Sequence, residues 1–201
     1  MNDLLRSRNL SLTTQAAEGL MRRRWTVSEI RKMLAAGIIL EDERFELIGG
    51  EVVPMPPKGN RHELIKKELQ RFWFRALPED IDLFTETTLY ISEDEFREPD
   101  FLFWPRAIAL KDVTAASALL IVEVADTSLS YDLGTKAPTY ARLGLPELWV
   151  INAHTLTTTV HRSPQVTGYT DVPNLGPSEL LVPLHAPHLA VRLADLSIDV
   201  D

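Results

Sequence analysis

The stretch that decides the fold is Leu119-Leu120-Ile121-Val122-Glu123-Val124. Four consecutive apolar residues, closed by an acid and a valine, are typical of a strand that is covered on both faces of a sheet. Residues 100–104 are nearly all apolar in the same way and follow Pro99. Each of these two predicted strands therefore carries one carboxylate near an end, Asp100 in the first strand and Glu123 in the second.

The two carboxylates indicate chemistry, because a carboxylate that closes an apolar strand is expensive to bury unless a cation or hydrogen bonds compensate it. Lys136 lies a short distance further along the chain. Two carboxylates can supply hard oxygen ligands to a magnesium-like cation, and a lysine can orient a water molecule or neutralise a phosphate. This set of side chains is what a metal-dependent phosphodiesterase needs, although each motif alone is unspecific.

The composition bounds the class of protein. With 201 residues and 45% apolar content, the chain fits one globular domain with a substantial core. It has no cysteine, which excludes disulfide scaffolds, thiolate-zinc sites and cysteine nucleophiles and suits a reducing compartment. The apolar runs are far shorter than the roughly 18 residues that cross a bilayer, and residues 1–24 contain no continuous apolar segment typical of a secretory signal. We expect a cytoplasmic protein without membrane partners.

The charge is unevenly distributed. The net charge of −8 argues against a generic nucleic-acid binder. However, residues 1–75 carry 14 basic and 10 acidic side chains, a net +4, whereas residues 76–201 carry 7 and 19, a net −12. The difference could place phosphate-binding cations beside a metal pocket, or it could be compositional scatter. Residues 1–24 are predicted to form a flexible basic tail, with a DNA-contacting or subunit-contacting arm as the alternative, ahead of a single domain at 25–201.

Two elements are well marked in the first half of the chain. Residues 45–53 are predicted to form a hairpin, because Gly49 and Gly50 supply the positive φ angles that a two-residue turn requires. Residues 61–77 have apolar side chains at three- and four-residue spacing and are predicted to form a helix. His62 stands at the start of the apolar stripe of that helix.

The remaining elements complete a mixed α/β pattern. They are a helix from Thr26 or Ser28 to Ala36, strands at 84–91, 100–104, 119–124, 147–151 and 157–162, a helix at 132–143 with Pro138 in its first turn, and a final edge strand at 189–193. The order predicts a mixed β-sheet flanked by helices. Ligand sites in such sheets lie at strand ends, where Asp100 and Glu123 are placed.

Several short motifs follow one another in a fixed order. They are Phe45-Glu46-Leu47-Ile48-x-Gly50-Glu51-Val52-Val53, His62 at a helix start, Glu98-Pro99-Asp100, Ile121-Val122-Glu123-Val124, Tyr131-Asp132-x-Gly134-x-Lys136 and Tyr140-Ala141-Arg142-x-Gly144-x-Pro146-Glu147-x-Trp149-Val150. Together they resemble a restriction-endonuclease-like family that is abundant in cyanobacteria and belongs to the PD-(D/E)XK nuclease superfamily. The similarity extends from about Trp25 to Leu196.

The resemblance implies a restriction-endonuclease-like αβββαβ core, with the N-terminal helix and hairpin as an extension, that cleaves DNA with Mg²⁺ or Mn²⁺. By position, Asp100 and Glu123 resemble the metal-binding acids of the family, helped by a main-chain carbonyl near Val124. Lys136 resembles the catalytic lysine. Glu46 and His62 match further polar positions of the family pocket.

Two positions depart from the family pattern. The superfamily usually has its lysine two residues after the second acid, where this chain has Ala125. Lys136 matches a lysine that related families carry on the following helix. The loop at 126–129 reads Asp-Thr-Ser-Leu instead of the commoner Ser-Pro-Ser-Thr.

Two other functions stay open at this point. The chain could be a nuclease-fold binding or assembly module with little or no turnover, which its acidic balance favours. It could also hydrolyse a small phosphorylated metabolite, although no Gly-rich phosphate loop supports a nucleotide-binding fold. Since many nucleases of this fold pair to cut two strands, the resemblance also implies a homodimer.

Overall fold

The structure is a computed structural model in which residues 23–40, 42–55 and 57–198 are described. Of the predicted N-terminal tail, all but Arg23 and Arg24 lies outside these ranges. The helices are α1 (Val27–Ala35), α2 (Asn60–Ala76), α3 (Leu129–Tyr131), a π-helical turn (Asp132–Lys136) and α4 (Ala137–Arg142). The strands are β1 (Phe45–Ile48), β2 (Glu51–Pro54), β3 (Ile81–Thr85), β4 (Leu89–Ser92), β5 (Glu95–Arg97), β6 (Phe101–Pro105), β7 (Leu120–Ala125), β8 (Glu147–Asn152), β9 (Thr158–Gln165), β10 (Gly168–Asp171) and β11 (Asn174–Leu175).

A large mixed sheet forms the centre of the molecule. Its strand order is β10-β9-β8-β7-β6-β3, and β11 pairs with β9. Strands β7 and β8 are parallel, and their neighbours pair antiparallel. In chain order, helix α2 is followed by three strands of this sheet, β3, β6 and β7. The 129–142 helical segment and strand β8 come next, and β4 and β5 are inserted after β3. The predicted mixed sheet flanked by helices is confirmed.

Helices cover both faces of this sheet. On one face, Leu69 and Trp73 of α2 pack in the core cluster that contains Phe101 of β6. On the other face, Tyr140 of α4 packs in the cluster that contains Leu102. Because adjacent strand residues point to opposite faces, both faces of β6 and β7 are apolar and buried, as their continuous apolar sequence predicts.

A second, smaller sheet has the order β2-β1-β5-β4. The hairpin of β1 and β2 is confirmed, and Gly49 and Gly50 both have positive φ angles, 54° and 80°. Helix α1 covers this sheet with a small core of its own, built from Ile30, Phe45, Leu47 and Phe96. Of the two predicted caps of α1, Thr26 is used, since its side chain accepts a hydrogen bond from the Glu29 backbone in a capping box.

Three elements differ from the sequence-based predictions. The predicted strand at 84–91 is two strands, because the chain leaves the large sheet after β3 and enters the small sheet at β4. Glu86 lies in this crossing with a φ of 53°. The predicted edge strand at 189–193 is only an isolated bridge between Leu181 and Val191, followed by a 3₁₀ turn.

The third difference concerns the helix predicted at 132–143, which begins earlier, at Leu129, and contains a π-helical turn. In that turn the Ala137 N–H donates to the Asp132 carbonyl, five residues back. Pro138 follows as the second residue of α4, so the proline does lie in the first turn of α4, although the helical segment as a whole already begins at Leu129. Among the described residues, no helix is both long and apolar enough to cross a membrane.

Candidate active site

A cavity of about 310 Å³ lies where the two sheets meet, between the hairpin and the ends of β6 and β7. Its charged and titratable lining residues are Glu46, Lys58, His62, Glu98, Asp100, Glu123, Asp126, Tyr131, Asp132 and Lys136. All five side chains predicted from the sequence to be catalytic, those of Glu46, His62, Asp100, Glu123 and Lys136, therefore line one cavity, and all five residues are buried. Their chemical roles stay predictions.

Strand register brings the two predicted metal ligands together. Strands β6 and β7 are antiparallel, and Phe101 pairs with Val122. Asp100 is one residue before Phe101, and Glu123 is one residue after Val122. The two acids therefore lie opposite each other on neighbouring strands, at the same end of the sheet. Both residues are buried, because helices cover the two faces of these strands.

Asp100 is fully engaged by hydrogen-bond donors. Its Oδ2 accepts from the Val124 backbone N–H at 2.8 Å and lies 3.0 Å from His62 Nε2. Its Oδ1 accepts from Lys58 Nζ at 2.6 Å. Burial opposes ionisation, but the hydrogen bond to His62 and the charge of Lys58 outweigh it and hold the pKa of Asp100 well below its usual range. Asp100 is therefore a carboxylate.

Glu123 has the opposite character. Its Oε1 accepts from Lys136 Nζ at 3.1 Å and from the Tyr140 hydroxyl at 3.4 Å. Complete burial, together with the negative charges of Asp132 and Asp100, raises the pKa of Glu123 to about 8 despite the Lys136 ammonium. Burial alone would lower the pKa of Lys136, but the surrounding carboxylates hold it well above its ordinary value, so this lysine is charged.

The π-helical turn places Lys136 in the cavity. Lys136 Nζ lies 3.4 Å from Glu46 Oε1 and 3.5 Å from Asp132 Oδ1, in addition to its bond with Glu123. Asp132 opens the turn and Lys136 closes it, and both residues are buried. Single π-helical turns inside α-helices occur frequently at functional sites, because they re-aim side chains that a regular helix would place elsewhere.

Arg97 was not predicted from the sequence, yet it holds Glu46 in place. Its Nη1 donates to Glu46 Oε2 at 3.3 Å and to the Tyr131 hydroxyl at 2.8 Å, and its Nη2 donates to Glu95 Oε1 at 2.6 Å. Nearby negative groups outweigh burial and raise the pKa of Arg97. Residues 93–98 read Glu-Asp-Glu-Phe-Arg-Glu, and such a charged, acid-rich stretch resembles a solvated loop, so the sequence carries no signal for a buried arginine here.

Lys58 was also missed. It lies between Pro57 and Gly59 in the irregular segment before α2, and its Nζ contacts Asp100 Oδ1 at 2.6 Å and Glu86 Oε1 at 2.5 Å. These two acids raise its pKa although burial opposes them. The one sequence signal is proximity to His62, four residues later, and that spacing does not distinguish Lys58 from an exposed loop lysine.

The donor set suits a hard divalent cation. Asp100 and Glu123 could hold it, with a main-chain carbonyl near Val124. The cavity is lined by six carboxylates but only two lysines among the described residues, Lys58 and Lys136. Burial raises the pKa values of three of these acids, Glu98, Glu123 and Asp132. In the described ranges, no three His, Asp or Glu side chains are arranged as a metal site, so water would complete the coordination, as is usual for Mg²⁺.

The chain is similar in sequence and fold to proteins described as nucleases. Residues 28–194 match the Uma2 family, whose description is "Putative restriction endonuclease". The fold is similar to a solved structure from Anabaena variabilis ATCC 29413, described as "a putative nuclease belonging to DUF820". The two chains are 18% identical with a TM-score of 0.66, and the alignment covers 85% of this chain and 96% of the other. No curated protein matches the sequence.

These comparisons confirm the nuclease relationship that the motifs predict. The solved structure supports the mixed α/β fold, and the family match spans most of the chain. The chain therefore belongs to the Uma2 family of putative restriction endonucleases.

Proposed function

We propose that the chain is a metal-dependent endonuclease of the PD-(D/E)XK type that hydrolyses phosphodiester bonds of DNA with Mg²⁺ or Mn²⁺. The observation that carries the proposal is the meeting of Asp100, Glu123 and Lys136 in one buried cavity, with Lys136 bonded to Glu123. Family membership supports the reaction class, and the excess of carboxylates over lysines in the cavity lining supports the need for a cation.

Asp100 and Glu123, with the main-chain carbonyl near Val124, are the proposed cation ligands. A bound divalent cation lowers the pKa of its water and stabilises the negative charge that develops on the phosphate. Lys136, which is charged, donates a hydrogen bond to the attacking water or to a phosphate oxygen. These residues lie on two strand ends and one helical turn, so the scaffold fixes their separation.

Glu46 and His62 act through these residues in the proposed mechanism. Glu46 Oε1 lies 3.4 Å from Lys136 Nζ and orients the ammonium group. His62 Nε2 lies 3.0 Å from Asp100 Oδ2 and holds that side of the carboxylate. The other oxygen, Oδ1, is the one that binds Lys58.

The test compares plasmid nicking in Mn²⁺ by the wild type and by Asp100→Asn and Glu123→Gln, which keep the side-chain shapes. We expect each variant to lose more than about 100-fold in rate, because even residues that only support metal ligands cost 10–100-fold. Asp195→Asn is the matched control, since Asp195 is an exposed acid outside the cavity. Equal cutting by all four proteins would refute the proposal, and a parallel assay on RNA decides the substrate class.

One observation favours a second function, a nuclease-fold binding or assembly module without turnover. The net charge of −12 on residues 76–201 opposes tight binding of a polyanion. Calorimetric titration with Mg²⁺ and Mn²⁺ separates the two functions, because a retired site would show no metal binding that depends on Asp100 and Glu123. The homodimer, the cytoplasmic location and the domain boundary at residue 25 stay predictions, and light scattering on the purified protein tests the first.

A further inference from the structure

Lys58 is a cation of the cavity that the proposed mechanism does not use. Its side chain is only 12% exposed, and its ammonium group bridges Asp100 Oδ1 at 2.6 Å and Glu86 Oε1 at 2.5 Å. It lies between β2 and α2, outside both elements. A largely shielded lysine on the predicted metal ligand calls for a functional explanation.

We propose that Lys58 is an internal counter-ion of Asp100. It neutralises this carboxylate while no metal is bound, gives it up to an incoming divalent cation, and then contacts a phosphate of the nucleic acid. This inference rests on the proposed function, because it assumes that Asp100 is a metal ligand and that the substrate carries phosphate.

The hydrogen bonds of Asp100 show why Lys58 and a metal ion compete. Oδ2 is already engaged by the Val124 backbone N–H and lies within hydrogen-bonding distance of His62. Oδ1 is the remaining oxygen, and Lys58 holds it. Two cations on one carboxylate oxygen repel each other strongly in a buried site. Lys58 must therefore leave Asp100, or the metal must bind more weakly.

Glu86 gives Lys58 a second place to bind. Its Oε1 already accepts from Lys58, so the ammonium group keeps one partner when it leaves Asp100. The Glu86 backbone N–H lies within hydrogen-bonding distance of the Pro99 and Asp100 carbonyls, at 3.2 and 3.4 Å, which holds Glu86 beside the site. Its positive φ of 53° is rare for a residue with a side chain, and such conformations concentrate at functional sites.

Once a metal ion binds Asp100, Lys58 is the cation of this cluster that has lost one of its two carboxylate partners. The same Glu86 oxygen is shared with Lys66 at 2.8 Å and with Arg44 at 3.1 Å. Lys66 retains Glu63 as a second acceptor at 3.2 Å, and Arg44 lies 3.9 Å from Glu98. Lys58 has lost its second acceptor, so an anion such as a phosphate group is the partner that its charge attracts.

The experiment measures two ligands whose affinities should move in opposite directions. Mn²⁺ binding is titrated calorimetrically, without DNA, on the wild type, Lys58→Met and Lys66→Met. Lys66 is the matched control, because it is a buried lysine on the same Glu86 oxygen that does not contact Asp100. We expect Lys58→Met to bind Mn²⁺ about tenfold more tightly and Lys66→Met to stay within about twofold of the wild type.

The second ligand is DNA. At saturating Mn²⁺, Lys58→Met should raise the KM for plasmid DNA about fivefold or more, with a smaller change in kcat, because a substrate contact has been removed. A variant that was merely damaged would lose affinity for both ligands. Melting curves in EDTA check that the variants fold. If Lys58→Met does not fold, the Mn²⁺ titration is repeated on Lys58→Gln, which keeps a hydrogen-bond donor but not the charge.

Each outcome has a definite reading. Unchanged or weaker Mn²⁺ binding by Lys58→Met overturns the proposal. An equal gain in affinity in Lys66→Met also overturns it, because removal of any nearby positive charge would then explain the tighter binding. If Asp100→Asn abolishes Mn²⁺ binding while Lys58→Met matches the wild type, only the counter-ion role fails. If neither the wild type nor Lys58→Met binds Mn²⁺, the proposed metal-dependent function fails as well.

Discussion

Replacing Arg97 with methionine should strongly destabilise the protein, because it removes one of the two cations that face buried Glu46. Arg97 is 1% exposed and Glu46 is 3% exposed, so the pair is largely shielded from water. Arg97 also bonds Tyr131 and Glu95, so three acceptors lose a donor at once. The perturbation removes one charge and keeps most of the apolar stem of the side chain.

The magnitude follows from the burial of the pair. Removing one partner of a buried ion pair costs about 3–5 kcal/mol in the free energy of unfolding when the other charge is left unpaired. Glu46 keeps Lys136 Nζ at 3.4 Å, so we expect the low end of this range, about 3 kcal/mol. For a chain of 150–250 residues, 1 kcal/mol shifts Tm by about 2–4 °C. We therefore expect Arg97→Met to lower Tm by roughly 6–12 °C.

The assay is thermal and urea unfolding of three variants. Arg106→Met is the matched control, because Arg106 pairs with Asp82 at 2.8 Å on the surface and should contribute no more than about 1 kcal/mol. The double variant Arg97→Met/Glu46→Gln should recover a large part of the loss, since it removes both charges. A Tm for Arg97→Met that equals the wild-type value, or a double variant as unstable as the single one, would refute the reasoning.

Three further predictions concern the cavity and the two cores. The apparent affinity for Mn²⁺ should rise with pH up to about pH 8 and then level off, because Glu123 must lose the proton that its raised pKa retains; titration calorimetry at several pH values measures this. Trp73→Ala should cost about 3–5 kcal/mol, since this fully buried ring packs edge-on against Phe101 and Phe103; urea unfolding measures it. Gly50→Ala should cost about 1–2 kcal/mol in the same assay, because φ is 80° and a Cβ would lie 2.9 Å from the Arg24 backbone.

Each of the three has a contradicting result. If the affinity for Mn²⁺ does not change between pH 6 and 8, either Glu123 is not a ligand or it is already deprotonated at pH 6. Trp73→Phe, which keeps an aromatic ring, should lose clearly less than Trp73→Ala, and equal losses would contradict the packing argument. Gly176→Ala is the comparison for Gly50, since its added Cβ meets only a glutamate side chain at 3.4 Å.

Local signals in the sequence were sufficient for part of the fold. The Gly49-Gly50 turn requires positive φ angles, and Thr26 with Glu29 forms a capping box, so both elements follow from neighbouring residues. Strands β6 and β7 follow from their unbroken apolar runs. The three-residue strand β5 was not predicted, because three residues are too few to show an alternating pattern of apolar and polar side chains. It is a strand because it pairs with β1, where Leu47 is opposite Phe96.

The candidate site was predictable to the extent that motifs carried it. Motif spacing indicated the residues of the cavity that lie on regular elements. Lys58 and Arg97 could not be inferred, because their burial depends on partners 42 and 51 positions away along the chain. The π-helical turn that aims Lys136 was also hidden, since Pro138 suggested the start of a helix and not its interior.

The crossing from β5 to β6 has a consequence for heat inactivation. Only residues 98–100 join these strands, and within the described residues no strand pair links the small sheet to the large one. Asp100 therefore stands at the joint between the two sheets, which also share apolar packing where Leu89 of β4 lies in the core cluster of Leu102 and Trp104. Because the cluster under α1 contains fewer buried apolar residues than the cluster under α2, we expect α1, β1 and β2 to open first on heating, which would separate Glu46 from Lys136 while the large sheet is still intact.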